Sequence, residues 1–421
     1  MKNIFALLFK KLRSAKAKIT HKRAMLHISA SLGVDNKCVE KYILNQVRYK
    51  KANPDIIKSG INPTFHFLNF GNTEVREASP AFPNSTSINR KILFKEVYIS
   101  SNPNTDGTYL YRCLFPSLAE ECSASFSRND SLTEIIKKLI QSERLIFSRP
   151  EPNTRSLYLL KLANQLGIRI TIDIDDLVFP RFAQDYGAVR SKVSSEKASR
   201  THSVYKSTLF HYADDYICST SEIKNNIIQE RPVTVRVNKL PRSYFKKEFT
   251  KSSKCNRKVK ILYLSGTPTH KMDYAYVHPI LIKLAQLYPD KFELCFLGNT
   301  SIDLRVFSVL KLEVKTSGRL SFIKMLEFIS EFDIALAPLE KTDFNNAKSN
   351  IKFIECASQY TPIIASPASE FSAHIKSGVN GWIADSQSEW FSILENLILE
   401  PSRINSVARS SHLYALENLS S

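Results

Sequence analysis

The stretch from Asn345 to Pro367 reads NNAKSNIKFIECASQYTPIIASP and orders its chemistry along one helix. Lys348 stands just before a helix start, Ser349 or Asn350 is placed to cap it, and Glu355 follows in the early turns. Unsatisfied amides at such a start favour an anion, and Lys348 adds positive charge toward the same oxygens. A side-chain cap from Ser349 or Asn350 would consume part of that capacity. An ionised Glu355 only accepts hydrogen bonds, so it suits two hydroxyls such as those of a ribose. Lys352 lies three positions before Glu355, a spacing at which an exposed ion pair is the ordinary arrangement.

Three other places carry polar residues just past apolar strands. After KILYLSG comes TPTHKMD, which gathers Gly266, Thr267, Thr269, His270, Lys271 and Asp273 at the start of a helix. Hydroxyls, amides and a cation there suit a diphosphate, although the same residues also make an ordinary capped helix. In IDIDDLVFPRF, alternation sends Asp173 and Asp175 to one face of a strand and Asp176 to the other. Those carboxylates can hold a divalent cation, activate a hydroxyl or cap the following turn, and spacing alone does not choose. With no histidine or further acid nearby, no metal is expected. Arg112 in YLYRC and Arg149 at the end of LIFSRP stand where a cation can meet an acceptor phosphate, or a surface carboxylate.

The elements that must position these residues alternate. ILFKEVYIS, RLIFSRP, IRITIDIDD and DDYICSTS read as strands, separated by helical patterns such as YLYRCLFPSLAEECS, SLTEIIKKLIQS and SLYLLKLANQLG. A second series starts at Lys258, with strands KILYLSG, FELCFLG, DIALAPL and TPIIAS between helices. Strands separated by helices of this length predict parallel sheets covered on both faces, here two doubly wound α/β domains in tandem. Ligands of such sheets bind beyond the carboxyl ends of the strands, and two domains make a cleft. Upstream, LHISASLG reads as a strand and turn, NKCVEKYILNQVRYKK as a helix, and residues 72–89 as a loop.

Composition excludes several classes. The 421 residues include 11 glycines, and neither a dinucleotide fingerprint nor a Walker loop occurs. Seven dispersed cysteines fit buried thiols of a reducing compartment, not a zinc site or a disulfide frame. The net charge of +19 attracts polyanions, whether nucleic acid, anionic lipid or a phosphorylated substrate. No recognition-helix, zinc or RNP-like motif supports nucleic acid. The first 23 residues hold eight Lys or Arg and no acid, with Ile4, Phe5, Leu7, Leu8 and Leu12 forming an apolar stripe. That pattern suits a helix lying on an anionic membrane surface, as well as a basic tail; it is too short to span and lacks a cleavage site.

The ordered set SGTPTH at 265–270, LGN at 297–299, FDIALAPL at 332–339, FNNAKSNIKFIECASQYTPIIASP at 344–367 and SGVNGWIA at 377–384 resembles bacterial GT-B glycosyltransferases. The likeness is to the retaining group called family 4, and within it to capsule or lipopolysaccharide assembly enzymes with an AKSxxKFIE-type motif. TIDIDDLVF at 171–179 and ADDYICSTS at 213–221 also resemble the group, so the likeness runs from about residue 92 to about 400.

The resemblance implies two Rossmann-like domains facing a central cleft, the acceptor domain at 92–250 and the donor domain at 256–400. A basic surface segment at 1–25, an extension or insertion at 26–91 and a helical tail at 401–421 complete the chain. It implies a nucleotide-sugar donor, with Glu355 near its ribose and Lys348 and Ser349 near its diphosphate. Gly266, Thr267, Thr269 and His270 would approach from the other side, and Ser366 and Ser369 would add phosphate contacts. The acceptor, a lipid-linked or polymeric glycan, would meet Arg112, Arg149 and Asp173, with Asp175 and Asp176 beside the reacting hydroxyl. No metal or further cofactor is implied, and the enzyme would work in the cytoplasm on the inner membrane face. The common family pattern carries an earlier glutamate as well, and the matching position here is Ala347. A sugar-nucleotide epimerase of the same architecture is the first alternative, and a basic nucleic-acid-binding protein the second.

Overall fold

The computed structural model describes residues 18–71, 74, 76–82, 88–227, 230–250, 257–265, 268–298 and 303–421. Most of the expected membrane-surface segment, residues 1–17, lies outside them. The chain forms two compact units. One ends at Asp173 and takes in Tyr205–Tyr216; the other holds Ile174–Val204 and Ile217–Ser421.

Two six-stranded parallel sheets organise the chain. Strands β1 (Phe94–Ser100), β2 (Ser123–Phe126), β3 (Ser142–Ser148), β4 (Arg169–Ile174), β5 (Asp215–Cys218) and β6 (Val233–Val235) run in the order β2-β1-β3-β4-β5-β6. Strands β7 (Val259–Ser265), β8 (Phe292–Gly298), β9 (Glu313–Ser317), β10 (Ile334–Ala337), β11 (Ile363–Ala365) and β12 (Trp382–Ile383) run β12-β11-β10-β7-β8-β9. Near-continuous apolar runs explain the doubly covered strands: Ile170, Ile172 and Ile174 of β4, and Ile261 to Leu264 of β7, are all buried. The edge strands β2 and β9 were not expected. Their residues SASF and EVKTS are half-buried or exposed throughout, so they carry almost no apolar pattern to read.

In the second sheet the chain moves outward from β7 through β8 to β9, then returns to β10 on the other side of β7. The loops leaving β7 and β10 therefore diverge at a switch point, where an open sheet leaves a crevice past its carboxyl ends. Helix α1 (Lys271–Leu287) follows β7 and packs Val277, Leu281 and Leu284 against Val259, Ile261, Phe292 and Leu294. Helix α2 (Ile351–Ser358) follows β10, and helix α3 (Ser402–Asn418) pins it. His412 Nδ1 on α3 donates to the Ala357 carbonyl at 3.1 Å. The same ring stacks on Tyr360 with centroids 3.7 Å apart.

Residues 18–32 are helical, so LHISASLG is helix and not strand. The buried apolar residues are Ala24, Met25, Ile28 and Leu32, a helical period that the intervening His and Ser residues disguise. The helical region is fastened to its own unit by Tyr158, whose hydroxyl donates to the Ile43 carbonyl at 2.7 Å.

Within the first unit, Arg112 and Asp173 form a fully enclosed pair. Arg112 Nε donates to both Asp173 oxygens at 3.1 and 3.0 Å, and Nη2 to Oδ1 at 2.7 Å. The side chains are 1% and 0% exposed. Removing one partner strands a buried charge, so Arg112→Ala should cost about 3–5 kcal/mol. Urea denaturation of the two proteins checks this, and an unchanged midpoint would show that the pair contributes nothing.

Candidate functional site

The site grows from the two loops at the second sheet's switch point. Beyond β7, Gly266 and Thr267 lie outside the described residues. The chain is described again at a short turn, Pro268–His270, that leads into α1. Asp273 lies in the first turn of α1 and is 4% exposed. A buried carboxylate needs donors, and three reach it. His270 Nδ1 lies 2.8 Å from Oδ2. The Glu340 amide and Asn345 Nδ2 donate to Oδ1 at 2.8 and 3.1 Å. Glu340 and Asn345 belong to the loop after β10, so one carboxylate ties both loops together.

The electrostatics follow from that burial. Enclosure pushes the His270 imidazole down to about 4, against the opposing pull of its Asp273 hydrogen bond and with the help of the Lys352 and Lys348 charges. Enclosure would raise the Asp273 carboxyl, but the His270 hydrogen bond, the Lys348 charge and the Glu340 amide outweigh it and hold the group below its ordinary value. Near neutrality Asp273 is therefore an anion that can only accept, and His270 is neutral. The Nδ1 hydrogen must then point at Asp273, which leaves Nε2 as an acceptor lone pair.

From the other loop, the Thr342 hydroxyl oxygen accepts the Asn345 amide at 3.1 Å and starts the turn Asp343–Asn346. Lys348 Nζ lies 5.4 Å from the centre of the Phe344 ring. At the start of α2 the expected cap is absent. Asn350 holds the N-cap position without a side-chain capping bond, and Ser349 Oγ accepts from Asn238 Nδ2 at 3.0 Å. The first amides of α2 thus escape side-chain capping. The exposed ion pair that the Lys352–Glu355 spacing allows is not formed: Lys352 Nζ is enclosed and has no hydrogen-bond partner among the described residues. Glu355 is half-buried on the same helix.

Ala347 is 1% exposed, and its carbonyl accepts from Thr220 Oγ1 at 3.1 Å. A glutamate there would have to bury its charge, so the position is filled by packing. The Ser366 Oγ accepts the Leu339 amide at 2.9 Å. The Ser369 amide donates to Asn346 Oδ1 at 3.1 Å, while Lys271 is exposed.

Residues 174–204 brace this site, which nothing in their sequence foretold. Ser191 Oγ donates to the Thr269 carbonyl at 2.8 Å, and Arg190 pairs with Glu340. Tyr186 meets the Phe344 ring with centroids 5.3 Å apart. A Cβ on Gly187 would fall 3.0 Å from the Thr269 carbonyl oxygen, so glycine permits the approach. Asp175 and Asp176 are half-buried just past β4, and the Asp175 carbonyl accepts from Ser219 Oγ at 3.1 Å.

Of the residues expected on the acceptor side, Arg112 and Asp173 consume one another, so Arg112 presents no guanidinium surface to an acceptor. Arg149, directly after β3, has a left-handed backbone with φ of 47°, uncommon for a non-glycine residue. Its Nη1 donates to Thr108 Oγ1 at 3.1 Å. Among the described residues no three acid, histidine or cysteine side chains converge as metal ligands.

No family model matches the sequence, and no curated protein does. Solved structures match by fold. HepE of Anabaena in complex with UDP aligns with a TM-score of 0.54 at 12% identity, over 78% of this chain and 96% of that one. Sucrose-phosphate synthase from Thermosynechococcus elongatus aligns at 0.53 and 11% identity, over 77% and 95%. A glycosyltransferase from Rickettsia africae aligns at 0.50 and 14% identity, over 77% and 94%. The chain has the GT-B fold, with two Rossmann-like domains.

Because the folded His270 titrates below the ordinary histidine value of 6.5, its contribution to stability is present above that value and is lost as pH falls toward 4. At about 1.4 kcal/mol per pKa unit, the loss amounts to a few kcal/mol. His270→Gln should flatten the fall in melting temperature between neutral pH and pH 4, and an equally steep fall in the variant would remove the assignment.

Proposed function

We propose that the protein is a glycosyltransferase that moves a sugar from a nucleotide-sugar donor to a growing surface glycan, with retention at the anomeric carbon. The observation that carries this reading is the Asp273 cluster at the switch point. It braces a neutral His270 beside Lys348 and an uncapped helix start, an arrangement suited to a diphosphate. The GT-B fold supports it, since HepE with the same fold has been solved with UDP and with UDP-glucose.

In this reading the donor's diphosphate faces the first amides of α2 and the Lys348 ammonium, with Glu355 accepting from the ribose hydroxyls. Fixed dipoles and charges stabilise the negative charge that grows on the departing phosphate without having to reorganise. His270 Nε2, kept unprotonated, accepts a hydrogen bond from a sugar hydroxyl and helps to orient the donor. Departure and acceptor attack on the same face of the sugar give retention. Arg149 and the Asp175–Asp176 pair serve the acceptor.

The acceptor in this proposal is a lipid-linked or polymeric glycan of the capsule or lipopolysaccharide type in a bacterium. The enzyme meets it on the inner membrane face through its basic N-terminal segment. No described helix is long and apolar enough to cross a membrane. The charge of +19 suits both anionic lipid and phosphate-bearing glycan.

Titration calorimetry against a panel of nucleotide sugars tests the donor assignment. One of them should bind, and Glu355→Ala should weaken it about tenfold or more by removing charge-assisted hydrogen bonds to the ribose. Lys348→Ala should mainly lower the rate at which nucleoside diphosphate is released in the presence of acceptor. Binding of no nucleotide sugar by the folded protein would overturn the proposal.

A further inference from the structure

Two buried donors at the start of α2 have no work to do in the mechanism described above. Asn350 Nδ2 and Lys352 Nζ are enclosed, and neither has a hydrogen-bond partner among the described residues. Asn350 is 1% exposed and leaves the capping role of its position unused. Buried polar groups are almost always bonded, and an unpaired buried ammonium is among the costliest exceptions. Two such donors two residues apart at one helix start suit an acceptor that carries negative charge.

Among the described residues no carboxylate hydrogen-bonds either donor. Asp273 already accepts from His270, the Glu340 amide and Asn345. Enclosure holds the Lys352 ammonium below its ordinary range; the Asp273 charge opposes the shift and the Lys348 charge adds to it. The Asp273 and Glu355 charges both favour the ammonium, yet neither carboxylate bonds it, and enclosure outweighs them.

We propose that Lys352 and Asn350 together seat the sugar-linked phosphate of the donor, and that Lys352 is the ligand that takes up the charge of the departing oxygen. This deepens the donor reading and rests on it. In the transfer step the bond from the anomeric carbon to the phosphate oxygen breaks, and its electron pair stays on that oxygen. The acceptor hydroxyl oxygen bonds to the anomeric carbon, and its proton passes to the released phosphate. The Lys352 ammonium donates to the departing oxygen, and Asn350 Nδ2 donates to a second oxygen of the same phosphate. Lys348, half-buried nearer the loop, remains for the outer face of the diphosphate. The pair also bears on the missing carboxylate at Ala347: this site has put its polar investment on the leaving group, where a lysine acts, and not at that position.

The test is a comparison of the full-length parent with Lys352→Met, which keeps the length and removes the charge. Melting temperature and calorimetric affinity are measured for UDP, GDP and ADP, each against its own nucleoside. The parent should bind one diphosphate more tightly than its nucleoside, and the variant should lose about 10- to 100-fold of that preference while keeping its nucleoside affinity. Without ligand the variant should melt at a higher temperature than the parent, because a buried ammonium with no hydrogen-bond partner among the described residues has gone. Asn350→Leu should reduce the diphosphate preference in the same sense by a smaller factor. A variant that keeps the preference would overturn the inference and leave the donor site standing. A Lys352→Met protein that melts lower and loses nucleoside and diphosphate alike would mark the lysine as structural and also overturn it. A folded parent that binds none of the three diphosphates would bring down the donor reading, and this inference with it.

Discussion

A single buried carboxylate holds the candidate site together. Asp273 cannot remain charged inside the protein unless donors surround it, and the donors come from the turn after β7 and the loop after β10. Those loops leave the sheet in opposite directions because the strand order reverses between β7 and β10. The topology opens a crevice there, and the carboxylate fixes the positions of the loops that border it. His270 owes its tautomer to the same bond, and Asn345 owes to it the orientation that precedes Lys348.

Charge then sets what the crevice can accept. Asp273 is spent on neutral donors, His270 is held neutral, and two lysines and an uncapped helix start remain. In the proposed reading the donor's diphosphate supplies the negative charge that these groups favour. The bracing by residues 174–204, through Ser191 on the Thr269 carbonyl and Tyr186 against Phe344, holds the loops in place. Preorganisation of this kind is where fixed electrostatics gain over water.

The fold was largely legible because doubly covered parallel strands write themselves as apolar runs. ITIDI and KILYLS could hardly be anything else, whereas SASF and EVKTS, at the sheet edges, bury too little to leave a pattern. The helix at 18–32 reads as a strand in sequence since its buried apolar positions, Ala24, Met25, Ile28 and Leu32, stand among residues that also suit a strand. In the site, position after a strand was enough to single out His270, Asp273 and Lys348. It gave no hint that Lys352 turns inward, because burial of a lysine depends on what packs over its helix and not on its spacing from Glu355. In sequence, Arg112 and Asp173 each stand where an acceptor is expected. Their mutual pairing, through residues 61 apart in sequence, was visible only in three dimensions.

The most direct measurement is a crystal structure of the full chain with whichever of UDP, GDP or ADP it binds. A nucleotide-sugar site of the proposed kind places the diphosphate against the first turn of α2, near Lys352, Asn350 and Lys348, with the ribose hydroxyls on Glu355. A nucleotide seated elsewhere, with the start of α2 left empty and Lys352 still unpartnered, would contradict the assignment of the donor site.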